Sequence, residues 1–332
     1  MRRIVSVLGI AAIAATPLGA RADLLPQSPL AQLQATISSE AGDAPGRVAV
    51  EIKDLPTGYV SAVHANSVMP AASTIKIPIM VEVFRQMQAG KFDLNREVQL
   101  LPADRDWGSG SIAGAPIGET FPVSELLTQM IAVSDNTAAN MLIRLVGRRA
   151  INATMEDLGL HHTQLANYIR TAEWSVRTAL RTTPADMVAL LTQMAKNNLV
   201  DQWSSRQMIA ILERQEINTL LPQPLPEIPI AHKTGSLDDT LNDVGIVYGA
   251  EPYVIAVMTT DLPTLSAGRR FIRKISRLAY NRLEAFAKLR LGGDADASAP
   301  SDNADSTSGG DTPVWQTAPA NPAPAPEPTS TP

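Results

Sequence analysis

The chain has 332 residues, 45% of them hydrophobic, and a formal net charge of -5. That is enough for one large domain or two smaller ones, and an acidic balance without a Lys/Arg-rich run excludes a general nucleic-acid binder. It contains no cysteine and only four histidines, so disulfides, thiolate metal sites and cysteine nucleophiles are excluded. His161 and His162 are adjacent without obvious carboxylate company, and no metal or cofactor is implied.

The N-terminus reads as a secretory signal over residues 1–22. Arg2 and Arg3 supply the positive end, residues 4–17 form a short apolar run, and Ala20-Arg21-Ala22 fits the small-x-small cleavage pattern. The mature chain is then expected to start at Asp23, in the periplasm or outside the cell. No second apolar run is long enough to span a membrane.

Residues 28–39 carry Leu30, Leu33 and Ile37 at helical spacing behind a Ser28-Pro29 start. Residues 47–54 and 59–64 read as two strands joined by the turn Leu55-Pro56-Thr57-Gly58, an antiparallel hairpin. The stretch Ala71-Ala72-Ser73-Thr74-Ile75-Lys76-Ile77-Pro78 follows, running into a helical segment. Helical periodicity then recurs over 123–133, 137–146, 148–158, 184–196 and 204–215. Thr183-Pro184 is a strong helix start. Strand patterns return at 228–235, 244–248 and 253–259, with a turn over 249–252, and a long amphipathic helix is expected over 265–289. Residues 292–332 are rich in Asp, Ala, Pro, Ser and Thr, lack Lys and Arg, and are expected to be disordered.

This order places a sheet built from both ends of the core, residues 23–72 and 225–291, around an inserted helical lobe, residues 73–224. A groove between such lobes is where a small-molecule site is expected.

Four motifs carry chemistry. Ser73 and Lys76 lie three residues apart, so they share a helical face, and an amine of lowered pKa activates a serine hydroxyl. The plain alternative is that Ser73 caps its helix and Lys76 is solvated. Ser134-Asp135-Asn136 offers a second hydroxyl to relay a proton to a leaving group, or simply a cap in which Ser134 or Asp135 begins the next helix. His232-Lys233-Thr234-Gly235-Ser236 ends a strand. Its lysine would hold a substrate carboxylate and lower the pKa of Lys76 by repulsion, or would be a solvated edge lysine, and Gly235 would let a substrate backbone approach. Gly108-Ser109-Gly110-Ser111 after Trp107 reads as a flexible loop beside an aromatic cleft wall, and it lacks the Gly-Lys-Ser/Thr ending of a phosphate loop.

Ser73-Thr74-Ile75-Lys76, Ser134-Asp135-Asn136 and Lys233-Thr234-Gly235, in that order and spacing, resemble the motif trio of the penicillin-recognising serine enzymes, most closely the class A β-lactamases. The resemblance spans residues 25–290. It implies an α/β plus all-α fold with a five-stranded antiparallel sheet flanked by helices. It implies that Ser73 is acylated, that Lys76 accepts or relays its proton, and that Ser134 protonates the ring nitrogen. Asn136 would bind the substrate's side-chain amide, and Lys233 and Thr234 its carboxylate. Backbone N–H groups of Ser73 and Ser236 would form the oxyanion hole, and Trp107 would stand at the cleft rim. The family's Arg-Trp-Glu loop is altered here. Glu173 is the only carboxylate between Asp157 and Asp186 and is expected to activate the deacylating water, the alternative being a surface glutamate. No arginine follows closely after Lys233. The implied partner is a small β-lactam acting on a monomer. A D-alanyl-D-alanine carboxypeptidase or a penicillin-binding sensor that does not turn over are the alternatives.

Overall fold

The computed structural model describes residues 28–171 and 176–296. The expected signal segment, Glu173 and nearly all of the acidic tail lie outside the described residues. In chain order the main elements are α1 (Pro29–Gly42), β1 (Arg47–Asp54), β2 (Val60–Val63), β3 (Met69–Pro70) and, after a 3-10 turn (Ala72–Ile75), α2 (Lys76–Gln88). Then come β4 (Glu97–Gln99), β5 (Thr120–Pro122), α3 (Val123–Ala132), α4 (Asn136–Val146), α5 (Arg148–Asp157) and β6 (Gln164–Leu165). The chain continues through α6 (Val176–Ala179), β7 (Leu180–Thr182), α7 (Pro184–Ala195), α8 (Gln202–Leu212), β8 (Ile230–Leu237), β9 (Thr240–Tyr248), β10 (Pro252–Thr260) and α9 (Leu265–Asp296).

Five strands form an antiparallel sheet in the order β2-β1-β10-β9-β8, as the resemblance implies. Its strands alternate faces with the expected period of two. On β10, Tyr253, Ile255 and Val257 join a core shared with Leu30, Leu33 and Ile37 of α1 and Phe271, Ile272 and Ile275 of α9. Val254 and Ala256, between them, face the opposite core, built mainly from α2 to α8. The sheet is therefore covered on both sides, which is why β10 and the second half of β9 read as nearly continuous apolar runs rather than alternating ones.

α2 is buried on nearly all sides, with Ile77, Ile79, Met80, Val81, Val83 and Phe84 fully buried and only its last turn reaching solvent at Arg85 and Gln88. A helix of this kind belongs at the centre of a core, and it fixes what stands at its N-terminus. The caps follow the sequence closely. Ser28 accepts from Ala31 N at 3.1 Å, and Thr183 accepts from Asp186 N at 3.0 Å.

Three expectations are corrected. α9 runs to Asp296, past the composition change at Gly292. Two short pairings, β4 with β5 and β3-β7-β6, have no period in the sequence because each is only two or three residues long. His161 and His162 do have carboxylate neighbours: Glu156 lies 2.8 Å from His161 and Asp186 3.9 Å from His162. Each histidine meets one carboxylate, and among the described residues no three such groups converge on a metal position. Likewise, no helix among the described residues is long and apolar enough to cross a membrane.

Candidate active site

Ser73 sits in the 3-10 turn that feeds α2, half-buried, and caps no helix with its side chain. Ala72 before it has a φ of 48°, a left-handed conformation that a residue bearing a Cβ adopts only when its surroundings enforce it. The enforcement comes from the sheet. Asn242 on β9 donates to Pro70 O at 2.9 Å and Ala71 O at 3.2 Å, and accepts from Thr259 N at 3.0 Å. Gly235 on β8 lies flush against the same turn. A Cβ there would come 3.0 Å from Ser73 N and from Ala71 O. A close approach that requires glycine is thus made by the serine's own turn.

Lys76 opens α2 and is completely buried. Its amine donates to Ser134 O at 2.6 Å, Ser134 Oγ at 3.0 Å and Asn136 Oδ1 at 2.7 Å. Shared helical spacing places it beside Ser73, yet its hydrogen bonds go to the 134–136 loop and none goes to Ser73 Oγ. Burial first, then the charge of Lys233, hold this amine well below the ordinary lysine range, against the opposite pull of Asp135 and Asp106. Its place at a helix N-terminus disfavours a cation too.

Lys233 is also fully buried, so it is no solvated edge lysine. It donates to Ser134 Oγ at 3.1 Å and Thr234 O at 2.9 Å. Burial lowers its pKa to about 7, against the pull of Asp243. Ser134 Oγ therefore accepts from two amines at once. With both lone pairs engaged, its own proton is left free to donate.

Ser134 has a φ of 61°, and the cap reading of its motif falls to its neighbour. Asp135 is the cap of α4, accepting from Ala138 N at 2.8 Å, while Ser134 stands free of that duty beside the amines. The second carboxylate oxygen of Asp135 takes Ser111 N at 2.7 Å and Ile112 N at 2.9 Å. Gly110, at φ 88°, packs so closely that a Cβ would meet Asp135 Oδ2 at 2.0 Å. The Gly-Ser loop is thus pinned to the motif instead of flexible. Trp107 beside it is 73% exposed, with the Arg105 guanidinium 5.9 Å from its ring, and it is not among the groove residues.

A shallow groove opens over Ser73, lined by Ala72, Ser73, Asn136, Ile169, Thr171, Leu180, Ser236 and Leu237. Ser236 is exposed and Thr234 buried on the same strand. Sequence reasoning missed the Ile169–Thr171 wall. Asn140, fully buried on α4, accepts from Ile169 N at 2.9 Å and donates to Ile169 O at 3.0 Å. Asp106 holds Thr171 through its N–H at 2.8 Å. On the far flank, Arg177 pairs with Asp239 in the β8–β9 turn and with Asp261. A second hollow, between Gln223 and Arg277, contains none of the residues singled out above.

A sequence profile described as the beta-lactamase enzyme family matches residues 31–283. The chain belongs to that family. Its fold matches the structure of PBP-A with a TM-score of 0.73 and 29% identity, over 79% of this chain and 99% of that one. A variant of PBP-A is described as an acyl-enzyme complex with penicillin G. A beta-lactamase from Sphaerobacter thermophilus matches with 32% identity and a TM-score of 0.69, over 76% and 95% of the two chains. The TLA-3 extended-spectrum beta-lactamase, 22% identical with a TM-score of 0.72 over 77% and 99%, shares the fold. Membership in the beta-lactamase family makes the chain a serine hydrolase of the penicillin-recognising kind.

Proposed function

We propose that the protein opens the β-lactam amide through an acyl-enzyme on Ser73 and hydrolyses that ester. The observation that supports it is the sharing of Ser134 Oγ by two fully buried lysine amines beside the Ser73 groove. Ser73 Oγ attacks the ring carbonyl, the C–Oγ bond forms and the C–N bond breaks. The Ser73 proton passes to neutral Lys76. Ser134 gives its proton to the leaving nitrogen and is reprotonated by the amines. The backbone N–H groups of Ser73 and Ser236 face the developing oxyanion. Lys233 and Thr234 take the substrate carboxylate, and Asn136 its side-chain amide. Water activated by Glu173 then attacks the ester, the C–Oγ bond breaks and the proton returns to Ser73. The leader composition supports action in the periplasm or outside the cell.

A second reading, a D-alanyl-D-alanine carboxypeptidase acting on cell-wall peptide, is favoured by the groove wall. Ile169 stands there, and the carboxylates of Asp106 and Asp135 are already engaged by hydrogen bonds. Rapid mixing with a chromogenic cephalosporin, followed by intact-protein mass, separates the readings. Sustained turnover with a transient adduct supports the first. One stoichiometric burst that stalls, with release of D-alanine from a diacyl-Lys-D-Ala-D-Ala peptide, replaces it with the second. Absence of any adduct that Ser73→Ala removes overturns both.

A further inference from the structure

We propose that Asp106 is a positioning residue for this site, fixing Asn136 and, through Asn136, the amine of Lys76. It belongs to none of the three motifs, and its role rests on the acylation reading above.

Asp106 is 6% exposed. Its Oδ1 accepts from Asn136 Nδ2 at 2.8 Å, Gly108 N at 3.0 Å and Thr171 Oγ1 at 2.8 Å. Its Oδ2 accepts from Thr171 N at 2.8 Å and from the same hydroxyl at 3.0 Å. Its backbone exchanges hydrogen bonds with the Thr137 hydroxyl, at 3.1 and 3.2 Å. Burial alone would raise the pKa of this carboxyl, but the donors from Thr171, Asn136 and Gly108 hold it below the usual range. It is therefore an anion, and among the described residues no lysine, arginine or histidine pairs with it.

An ionised carboxylate accepts and never donates, whereas an amide has one end of each kind. Asp106 thus dictates which way Asn136 faces. Nδ2 turns to the carboxylate, and Oδ1 is left to receive Lys76 at 2.7 Å. Turned the other way, Asn136 would present N–H groups to the N–H groups of the Lys76 amine and an oxygen to a carboxylate. The chain of contacts from Lys76 through Asn136 to Asp106 gives the buried amine a remote counter-charge. The charged groups acting on Lys76 are Lys233 on β8, Asp135 at the cap of α4, and Asp106 in the loop before Trp107. Asp135 and Asp106 both favour its protonated form, and Asp243 acts in the same sense on Lys233. The same carboxylate ties the Thr171 wall to the Asn136 amide, so the groove wall and the proton acceptor share one anchor.

The test is a titration of the Lys76 side chain in the free protein by NMR of lysine labelled at Cε, assigned through Lys76→Arg. It is paired with the acylation rate by a penicillin at each pH. In Asp106→Asn the Lys76 midpoint is expected to fall, with the acid limb of the acylation rate moving to lower pH with it. Asp106→Ser serves the same purpose if the asparagine variant does not fold. Asp106→Glu, which restores the charge, is expected to bring the midpoint back towards the wild type. Thr171→Val removes part of the wall tie but leaves the carboxylate on Asn136, and is expected to leave the midpoint in place. An unchanged midpoint in both neutral variants, with only a lower melting temperature, overturns the proposal and leaves Asp106 a loop tie. The titration needs no substrate. A wild-type protein that penicillin does not acylate overturns the functional reading alone, and the midpoints still decide the role of Asp106.

Discussion

Lys233→Met tests the electrostatic description of the site directly. Lys233 is fully buried, and its amine titrates near 7 rather than at the usual 10.5. At about 1.4 kcal/mol per tenfold change in proton affinity, this corresponds to a folded state penalised by roughly 5 kcal/mol at low pH. The unfolded chain keeps this proton to about pH 10, whereas the folded chain sheds it near 7. Between these limits the unfolded state binds more protons, so stability rises with pH; below about 7 the penalty is fully present. For this one group, the rise between about pH 7 and about pH 9 is roughly 2 kcal/mol. Methionine fills a similar volume and carries no proton, at the cost of the hydrogen bonds to Ser134 and to Thr234 O, about 1 kcal/mol each. Removing the Lys233 charge also relieves the lowering of the Lys76 pKa, which adds to the variant's lead at pH 7. Urea unfolding of both proteins at the two pH values is therefore expected to show the variant ahead at pH 7 by about 1–3 kcal/mol, with the gap closing or reversing at pH 9. Parallel behaviour of the two proteins across that range would refute the argument.

Glu173→Gln is expected to accumulate the acyl-enzyme, seen by intact mass after mixing with penicillin; turnover at the wild-type rate removes Glu173 from the mechanism. Gly235→Ala drives a methyl to 3.0 Å from Ser73 N. It is expected to cost about 1–3 kcal/mol of stability and at least tenfold in acylation rate, because β8 must withdraw from the serine turn. Asn140→Ala leaves the backbone N–H and C=O of Ile169 without their partner and opens a cavity. A loss of about 2–4 kcal/mol in thermal or urea unfolding is expected, with turnover falling more than acylation because the wall faces the ester. Gly110→Ala meets both a positive φ and Asp135 Oδ2 at 2.0 Å. A loss of more than about 2 kcal/mol is expected, and a melting temperature close to wild type would show that the loop yields.

The strands of the main sheet were legible because burial on two faces leaves long apolar runs between clear turn residues. Residues 47–54 were read to the residue. The long helices were legible from their period, and their starts from Ser28-Pro29 and Thr183-Pro184. The buried amines were not. A lysine in a strand carries no mark of burial in its own sequence, and Lys233 was equally readable as an edge residue. Its position is decided by pairing with β9 and by the loop from α3 to α4, a hundred residues away. Asp106 and Asn140 were missed for a related reason. Their function is to hold backbone and amide groups of distant segments, and no local spacing announces it. The Gly-Ser loop misled because glycine serves both flexibility and close packing, and only the positions of Asp135 and Thr171 tell the two apart.

The tether from Asn242 to Ala71 joins positions 171 residues apart in sequence, and β1 pairs with β10 from Arg47 opposite Thr260 to Asp54 opposite Tyr253, across a similar separation. The serine turn is thus fastened by strands that are synthesised last. A chain that has emerged only as far as α8 owns the serine, Lys76 and Ser134, yet lacks both the second amine and the strand that holds the turn in its left-handed bend. Such late closure makes assembly of the chemistry the final event in folding. An incomplete or unfolded chain is chemically silent, whatever it meets on its way to its destination.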